Sequence, residues 1–314
     1  MKILVTGSIA YDTIMVFPDR FRNHLLADQL HILNVCFLTP EMRREYGGTA
    51  GNIGYNLRLL GEQPLVMATV GEDIAPYIAR FDSLGIATAH LRRIGGQFTA
   101  QAFITTDLDD NQITAFHPGA MNYAHENHIG PGLAAGVAIV APDGKQGMVQ
   151  HARECSEAGV PFMFDPGQGL PMFSGEELAE MVRLADYLAV NDYEGRMLEE
   201  KTGRRLEQLA QELKALVVTL GAKGSLIIAE GKRHEIPCVE ADAVSDPTGC
   251  GDAYRAGLLY GIAHRWDWSS AGKLGAVMGA IKIAQRGAQN HAPTRGEIEA
   301  RFQRAFGYSP WKGR

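Results

Sequence analysis

The sequence predicts an α/β fold, a doubly wound and mostly parallel sheet flanked by helices, with a small β-sheet lid. From residue 136 onward, short apolar segments alternate with helical ones, which is typical of parallel strands joined by crossover helices. Two long Ala/Gly-rich helical segments lie near the end, at 251–264 and 269–285. At 314 residues, the chain has the length of one large domain with a small appendage.

The first half of the chain mixes strands, helices and irregular segments. A glycine follows each of its predicted helices, as expected where a helix ends. A polar stretch at 18–29 and an apolar run at 30–38 precede the break at Gly47-Gly48. Strands are predicted at 2–6, 11–17 and 65–70, and helices at 52–60 and 74–84.

A hairpin is predicted at 99–105 and 112–116, around the turn-forming residues 107–111. This hairpin and the early strands do not fit strand–helix alternation, so we predict that they form a β-rich lid. The alternative is that they are additional edge strands of the main sheet. The lid would comprise 11–46 and 97–121, and the main domain 1–10, 47–96 and 122–314.

The second half supplies five short apolar strands, with helices between most of them. This alternation predicts a mostly parallel sheet with helices on both faces. The strands are predicted at 137–141, 162–165, 187–191, 215–220 and 225–229, and the helices at 147–158, 175–185 and 193–202.

Composition narrows the class of protein. A net charge of −6 argues against a nucleic-acid or anionic-membrane partner, because binding to phosphates in bulk needs concentrated Lys and Arg. The four cysteines form no CxxC pair, and no run of 18 apolar residues occurs. The N-terminus lacks the apolar core of a signal peptide. These features predict a cytoplasmic protein with reduced thiols.

The most informative motif is the segment 246–252, DPTGCGD, which runs directly into a helix. Gly249 and Gly251 let the backbone bend so that successive N–H groups point one way, and the helix adds unpaired amides and its positive dipole end. Together these groups would form an anion hole for a phosphoryl group. Asp252 in the first helical turn can then take a proton from an attacking hydroxyl.

The alternative is that Asp252 is only a helix cap. That interpretation would suit a bare GxGD. The complete seven-residue pattern, following a five-strand α/β run, favours the catalytic interpretation.

With this signature, the chain resembles the ribokinase-like, or PfkB, family of carbohydrate and nucleoside kinases. The resemblance covers nearly the whole chain and implies ATP and Mg²⁺ as cosubstrates, with in-line transfer to a hydroxymethyl group. Asp252 matches the catalytic base, and Gly249, Cys250 and Gly251 match the anion hole. Cys250 stands where the family more usually has Ala, and a small side chain at this position keeps the loop open. The alternative is that Cys250 is a reactive thiol at a helix N-terminus.

Two further segments point to the acceptor. Asp12 follows the first strand, and the segment 47–52, GGTAGN, opens a helix. Glycines allow close approach of a ligand, and the Asn52 amide can donate and accept toward vicinal hydroxyls. A turn Asp and a plain helix start explain these residues equally well. The family resemblance implies that Asp12, Gly48 and Asn52 bind ribose, with Gly47 beside them.

The nucleotide is expected at two strand ends, where open α/β sheets place ligands. The segment 191–194, NDYE, resembles the family's NxxE motif, in which the Glu organises Mg²⁺-bound water and phosphates. Asn191 and Glu194 would also form a helix capping box, which is compatible with that function. The segment 219–224 resembles the family's nucleotide loop, although an ordinary Gly-rich turn is the alternative. The predicted ATP-binding residues here are Thr219, Gly221, Lys223 and Gly224.

A monovalent-cation site for K⁺, found in some family members, is also implied by resemblance. It would involve Asp246, Thr248 and the loop 287–291. Such a site uses mostly backbone carbonyls, which the sequence barely constrains.

The acceptor is predicted to be a nucleoside, with adenosine first and its 5′-hydroxyl as the reacting group. Phe103 and Phe116 on the lid strands can stack on a nucleobase, or else pack the lid on the main domain. Ala141-Pro142 offers no side chain for additional sugar hydroxyls. The pairing of Tyr11-Asp12 with GGxxxN is similar to the adenosine and nucleoside kinases of the family.

Two alternative functions remain open from the sequence. One is a kinase for a free furanose sugar, and the other is a non-catalytic nucleoside- or sugar-binding regulator on the same scaffold. The presence of Asp252, Glu194 and the glycine pair favours an enzyme. A homodimer through the lid is a further expectation, because exposed edge strands recruit partners.

Overall fold

The computed structural model describes residues 1–25, 34–109, 111–130 and 132–311. Between residues 137 and 219, strands and helices alternate as the sequence predicts. The strands are β1 (Ile3–Thr6), β2 (Ala10–Val16), β3 (Glu41–Gly47), β4 (Leu65–Val70), β5 (Leu91–Arg93), β6 (Ala100–Thr106), β7 (Gln112–His117), β8 (Val137–Val140), β9 (Phe162–Phe164), β10 (Tyr187–Asn191), β11 (Ala215–Thr219), β12 (Ser225–Ala229) and β13 (Lys232–Ile236). The α-helices are α1 (Thr49–Leu59), α2 (Ala75–Leu84), α3 (Lys145–Glu157), α4 (Gly175–Leu184), α5 (Asp192–Thr202), α6 (Leu206–Leu209), α7 (Cys250–Ala263), α8 (Trp268–Ile283) and α9 (Arg295–Phe306).

The larger sheet runs in the order β13-β12-β11-β10-β9-β8-β1-β4-β5. Its strands from β11 to β5 pair in parallel, while β12 and β13 add an antiparallel edge. The strand order reverses at β1, which lies between β8 and β4. The predicted doubly wound, mostly parallel sheet is therefore confirmed.

The smaller sheet has the order β3-β2-β6-β7 and is the predicted lid sheet. It is a separate sheet, so the alternative that these strands extend the main sheet is wrong. Residues 26–33, which include parts of the polar stretch at 18–29 and of the apolar run at 30–38, lie outside the described residues. The domain boundaries and the pairing of two chains through this sheet stay predictions.

Two hydrophobic cores cover the two faces of the main sheet. Ile3 and Val5 of β1 belong to one core, with α1, α7 and α8, whereas Leu4 belongs to the other, with α3 and α4. Successive side chains of a strand point to opposite faces, so a strand buried on both faces reads as a continuous apolar run. Both faces of the sheet are therefore covered by helices, which leaves the ends of its strands as the place for a site.

Some of the predicted elements differ from the structure. Helix α1 begins at Thr49, three residues before the predicted start. Strands β3, β5 and β13 and helices α6 and α9 were not predicted. In the described residues, no helix is both long and apolar enough to cross a membrane.

Candidate active site

The carboxyl ends of the central strands and the N-terminus of α7 meet at one edge of the main sheet. Asp165 follows β9 directly, Asn191 ends β10 and Thr219 ends β11. Asn191 and Thr219 are neighbours in the parallel register. Parallel strands place their C-terminal residues at the same edge, and this edge is where α/β sheets bind ligands.

The loop before α7 is held in a fixed turn. Gly249 takes a left-handed conformation with φ 78° and ψ 2°, and a Cβ there would lie 2.9 Å from the Cβ of Ala288. The Cys250 amide donates to the Pro247 carbonyl at 3.1 Å, so it closes the turn instead of facing a ligand. This corrects the expectation that the Cys250 amide lines the anion hole.

The amides that stay available are one residue further along. The backbone N–H groups of Gly251 and Asp252 have no hydrogen-bond partner among the described residues, and the first intrahelical bond runs from Ala253 N to Gly249 O at 3.0 Å. Unpaired amides in the first turn of a helix, with its positive dipole end, bind anions. The arrangement fits a phosphoryl group, provided that it lies over Gly251 and Asp252.

Asp252 is half-buried in the first turn of α7. Its Oδ2 accepts a hydrogen bond from Asn52 Nδ2 at 2.8 Å. No side chain caps α7, so the interpretation of Asp252 as a helix cap is wrong. Burial raises the pKa of the Asp252 carboxyl to about 7, with Asp165 and Asp12 adding to the rise and Asn52 and Arg255 opposing it. Such a carboxyl can gain and lose a proton near neutral pH.

Asn52 is held from behind by a buried chain of hydrogen bonds. Its Oδ1 accepts from Gln289 Nε2 at 3.0 Å, and the same nitrogen donates to the Tyr77 hydroxyl at 2.7 Å. The Tyr77 hydroxyl donates to the carbonyl of Gly47 at 2.8 Å. This chain fixes the Asn52 amide so that its NH₂ group faces Asp252.

A buried ion pair between Arg255 and Asp165 lies next to the first turn of α7. Arg255 Nε donates to Asp165 Oδ2 at 2.9 Å, and the two side chains are 6% and 5% exposed. Arg255 Nη1 makes no hydrogen bond within the described ranges, and a Cβ built on Gly251 would lie 3.3 Å from it. The free donor therefore lies next to the unpaired amides of α7. The sequence interpretation missed this pair, although a lone Arg in an Ala/Gly-rich helix is a usable signal.

The predicted acceptor residues come together on the other side of Asp252. Asp12 of β2 lies against Gly47 of β3, where a Cβ would be 2.7 Å from Asp12 Oδ2. Gly48 has φ 85°, and a Cβ there would meet the Ser8 carbonyl oxygen at 2.5 Å, so only glycine fits. Burial raises the pKa of Asp12 to about 6, with the carboxylates of Asp246 and Glu45 contributing to that rise.

The two lid phenylalanines lie on opposite faces of their sheet. Phe103 pairs with Ala115, whereas Phe116 pairs with Ala102, which itself pairs with Asp12. Paired residues share a face and successive residues alternate, so only Phe116 shares the face of Asp12. Phe116 is 52% exposed. The expectation that both rings face one acceptor is therefore wrong for Phe103.

The predicted nucleotide residues lie at the ends of β10 and β11. Asn191 Oδ1 accepts from Glu194 N at 2.8 Å, and Glu194 Oε2 accepts from Asn191 N at 2.7 Å, which is the predicted capping box. Burial raises the pKa of Glu194, Asp165 adds to the rise, and Arg255 opposes it. In the loop after β11, a short 3₁₀ turn at Gly221–Lys223 ends at Gly224.

The thiol of Cys250 is not activated. Burial raises its pKa to about 11, although it sits at a helix N-terminus. This environment does not favour the alternative of a reactive thiolate at this position.

The residues of the expected cation site surround a lysine. Asp246 Oδ1 accepts from Thr248 N at 2.9 Å, and its Oδ2 accepts from Gly287 N at 2.8 Å. The Asp246 carbonyl accepts from Lys282 Nζ at 2.7 Å. An ammonium group thus occupies the carbonyl that a bound ion would use. The described residues contain no group of three or more His, Cys, Asp or Glu side chains able to hold a metal ion.

Comparison with known proteins agrees with this geometry. The sequence profile of the pfkB family carbohydrate kinases matches residues 9–295. A nucleoside kinase of Methanocaldococcus jannaschii is 31% identical over 273 residues, which cover 86% of this chain and 90% of that protein. The structure of a Burkholderia thailandensis nucleoside kinase in complex with inosine is 53% identical, covers 98% of this chain and 99% of that one, and superposes with a TM-score of 0.89. A structure of the Burkholderia thailandensis kinase in complex with ADP-inosine is 54% identical, covers 98% and 97% of the two chains, and has a TM-score of 0.87. The predicted family resemblance is confirmed: the chain belongs to the pfkB family of carbohydrate kinases and is a phosphotransferase with an alcohol group as acceptor.

Proposed function

We propose that this chain is a nucleoside kinase that transfers the γ-phosphoryl group of ATP to the 5′-hydroxyl of a purine nucleoside, adenosine first among them. The observation that carries the proposal is the carboxyl of Asp252, held by Asn52 beside the unpaired amides of Gly251 and Asp252. A base and an anion-binding turn within one helical turn are what transfer to a hydroxyl requires. The relatives named as nucleoside kinases, one of them in complex with inosine, support a nucleoside acceptor.

The acceptor is held on the side of β2 and α1. Asp12 accepts hydrogen bonds from ribose hydroxyls, and the backbone at Gly48 lets the ring approach closely. Asn52 shares its amide between the ribose and Asp252. Phe116, exposed on the face of Asp12, is the aromatic surface against which a base can stack.

The phosphoryl donor lies on the side of Asp252 opposite to the nucleoside. The Asp252 carboxylate takes the proton of the 5′-hydroxyl as that oxygen attacks the phosphorus, and the bond to the leaving ADP oxygen breaks. The amides of Gly251 and Asp252 and the free Nη1 of Arg255 stabilise the charge on the transferred group. ATP itself lies along the ends of β10 and β11, near Asn191, Glu194, Thr219, Lys223 and the glycines of that loop. Closure of the lid sheet excludes water, which would compete as acceptor.

Mg²⁺ fits this site as an ion carried by the phosphates. Glu194 supplies one partly buried carboxylate, while both oxygens of Asp165 are engaged by Arg255. One protein carboxylate with phosphates and water is a common Mg²⁺ environment. When bound, the ion neutralises phosphate charge, and Glu194 would orient its water shell.

The acceptor is tested by a panel of nucleosides and sugars. With ATP and Mg²⁺, we expect ADP formation to depend on adenosine or inosine, and kcat/KM for ribose to be lower by at least about 100-fold, because ribose forgoes the base contacts. Product analysis should give the 5′-monophosphate. Preference for ribose would instead establish the sugar-kinase alternative, and absence of turnover with every acceptor would support a binding protein.

The pH dependence of the reaction reports on Asp252. A general base works only when deprotonated. Because burial raises the pKa of Asp252 to about 7, kcat/KM should fall as the pH drops through that value.

The variant Gln289→Glu should shift this pH dependence. It places a carboxylate against Asn52 Oδ1, which favours rotation of the Asn52 amide. The rotated amide presents its oxygen to Asp252 and stabilises the protonated acid. The acidic limb of the pH profile should therefore move to higher pH. Gln289→Met is the control of similar size. An unmoved limb in Gln289→Glu would contradict the inference that Gln289 sets the orientation of the Asn52 amide toward Asp252.

A further inference from the structure

The most unusual buried charge of the molecule is Lys282, near the C-terminal end of α8. Its side chain is 0% exposed. The ammonium Nζ donates to the carbonyl of Asp246 at 2.7 Å and to the carbonyl of Gln285 at 3.2 Å, and it forms no ion pair with a carboxylate of the described residues. A buried ammonium is costly unless its protons are bonded, so this site is built around a positive charge.

The position of this charge connects it to the reaction. Asp246 begins the loop that ends in the unpaired amides of α7, and its side chain ties Thr248 to Gly287. The amides of Ser245 and Asp246 donate to the carbonyl of Ile283, at the end of α8. Lys282 therefore joins the end of α8 to the start of the phosphate loop.

The electrostatic surroundings of Lys282 Nζ are those of a binding site for a small cation. The C-terminal end of α8 presents carbonyls and the negative end of its dipole, which favour a cation. Burial lowers the pKa of Lys282, while the negative charge of Asp246 raises it again. The loop carries Asp246 and leads to Asp252, so a positive charge here offsets carboxylates while phosphates bind.

These contacts do not fit a free monovalent ion at the Asp246 carbonyl, because the ion would lie against the positive charge of Nζ, which already donates to that oxygen. We propose that the ammonium of Lys282 is a built-in substitute for a monovalent cation, positioning the phosphate loop so that turnover needs no added K⁺. Lys282 acts through the loop and is a positioning residue. The inference rests on the phosphotransferase activity that the family establishes, and it holds for any alcohol acceptor.

The first test uses the unaltered protein. After activity is established with ATP, Mg²⁺ and the best acceptor, KCl is replaced by tetramethylammonium chloride at constant ionic strength. We expect kcat to change by less than about twofold, since constant ionic strength keeps the screening of charges the same and the loop has no need of K⁺. A K⁺-dependent rise of about tenfold or more would overturn the inference. Lack of any activity with any acceptor would instead be a failure of the proposed function.

The second test restores the cation after removing it. In Lys282→Ala, kcat should fall roughly 10- to 100-fold, which is typical when a residue that orients the groups at a reacting centre is removed. KM for the acceptor should change little. K⁺, ammonium or methylammonium should restore at least a tenth of the lost activity. Lys282→Met, which fills the space with an apolar chain, should lose activity without being rescued.

The matched control is Lys273→Ala, on the same helix but packed against Tyr308 and Phe306. It should show neither the loss nor the response to cations. Wild-type turnover in Lys282→Ala without any cation, or a loss that no cation or amine reverses in a folded variant, would overturn the inference. If Lys282→Ala does not fold, the cation series on the unaltered protein still decides it.

Discussion

Replacing Asp252 with Asn is expected to lower kcat by about 10²- to 10⁴-fold while leaving the affinities for nucleoside and ATP close to those of the wild type. The two side chains have the same shape. The Asn52 NH₂ group, held at 2.8 Å from Oδ2, would select the carbonyl oxygen of the new amide. The remaining NH₂ group then faces the acceptor hydroxyl and cannot take its proton.

Single-turnover kinetics and calorimetric titration of both ligands separate chemistry from binding. The matched control is Asp82→Asn, an exposed carboxylate on α2 outside every segment placed at the site, and it should retain wild-type turnover. Near-wild-type turnover in Asp252→Asn would show that another group removes the proton, and the assignment of the base would fail.

The parts of the site that could be predicted from the sequence are those encoded locally. The bend at Gly249, the helix that follows it and the Asn191–Glu194 capping box each lie within one short segment, so their residues can be recognised by spacing. The long-range contacts of the site cannot be recognised in this way, because Asn52 and Asp252 are 200 positions apart and Asn52 and Gln289 are 237 apart. Contacts of that kind depend on the sheet order.

The missed strands have a similar explanation. Strand β3 carries Glu41, Arg43, Arg44 and Glu45 at the edge of the small sheet and shows no apolar alternation, because much of it faces solvent. Strands β1 and β8, buried on both faces, were found because every residue is apolar or small.

The orientations of Phe103 and Phe116 show a second limit of prediction from the sequence. Both strands of the hairpin were predicted, but the face of each ring depends on the register, and a shift of one residue reverses every side chain. The structure pairs Ala102 with Phe116 and Phe103 with Ala115. Strand propensity alone contains no information on this choice.

The ion pair between Arg255 and Asp165 is buried, and in the proposed mechanism one of its members also takes part in phosphoryl transfer. Both side chains are almost fully buried, so neither charge can be solvated if its partner is removed. Removing one member of such a pair typically costs about 3–5 kcal/mol, whereas replacing both by apolar residues of similar shape is often neutral. The pair therefore offers a way to separate folding from phosphoryl transfer.

Arg255→Met is expected to lower the free energy of unfolding by about 3–5 kcal/mol, because the Asp165 carboxylate is left buried without a partner. The double variant Asp165→Leu/Arg255→Met should recover most of this loss, since Leu has the branched shape of Asp and no charge remains. If Arg255 Nη1 stabilises the transferred phosphoryl group, kcat of the double variant should nevertheless stay about 10²- to 10³-fold below that of the wild type. Urea unfolding measures the first effect and steady-state kinetics the second. Wild-type turnover in the stable double variant would confine the pair to folding, because a purely structural ion pair predicts that activity returns with stability.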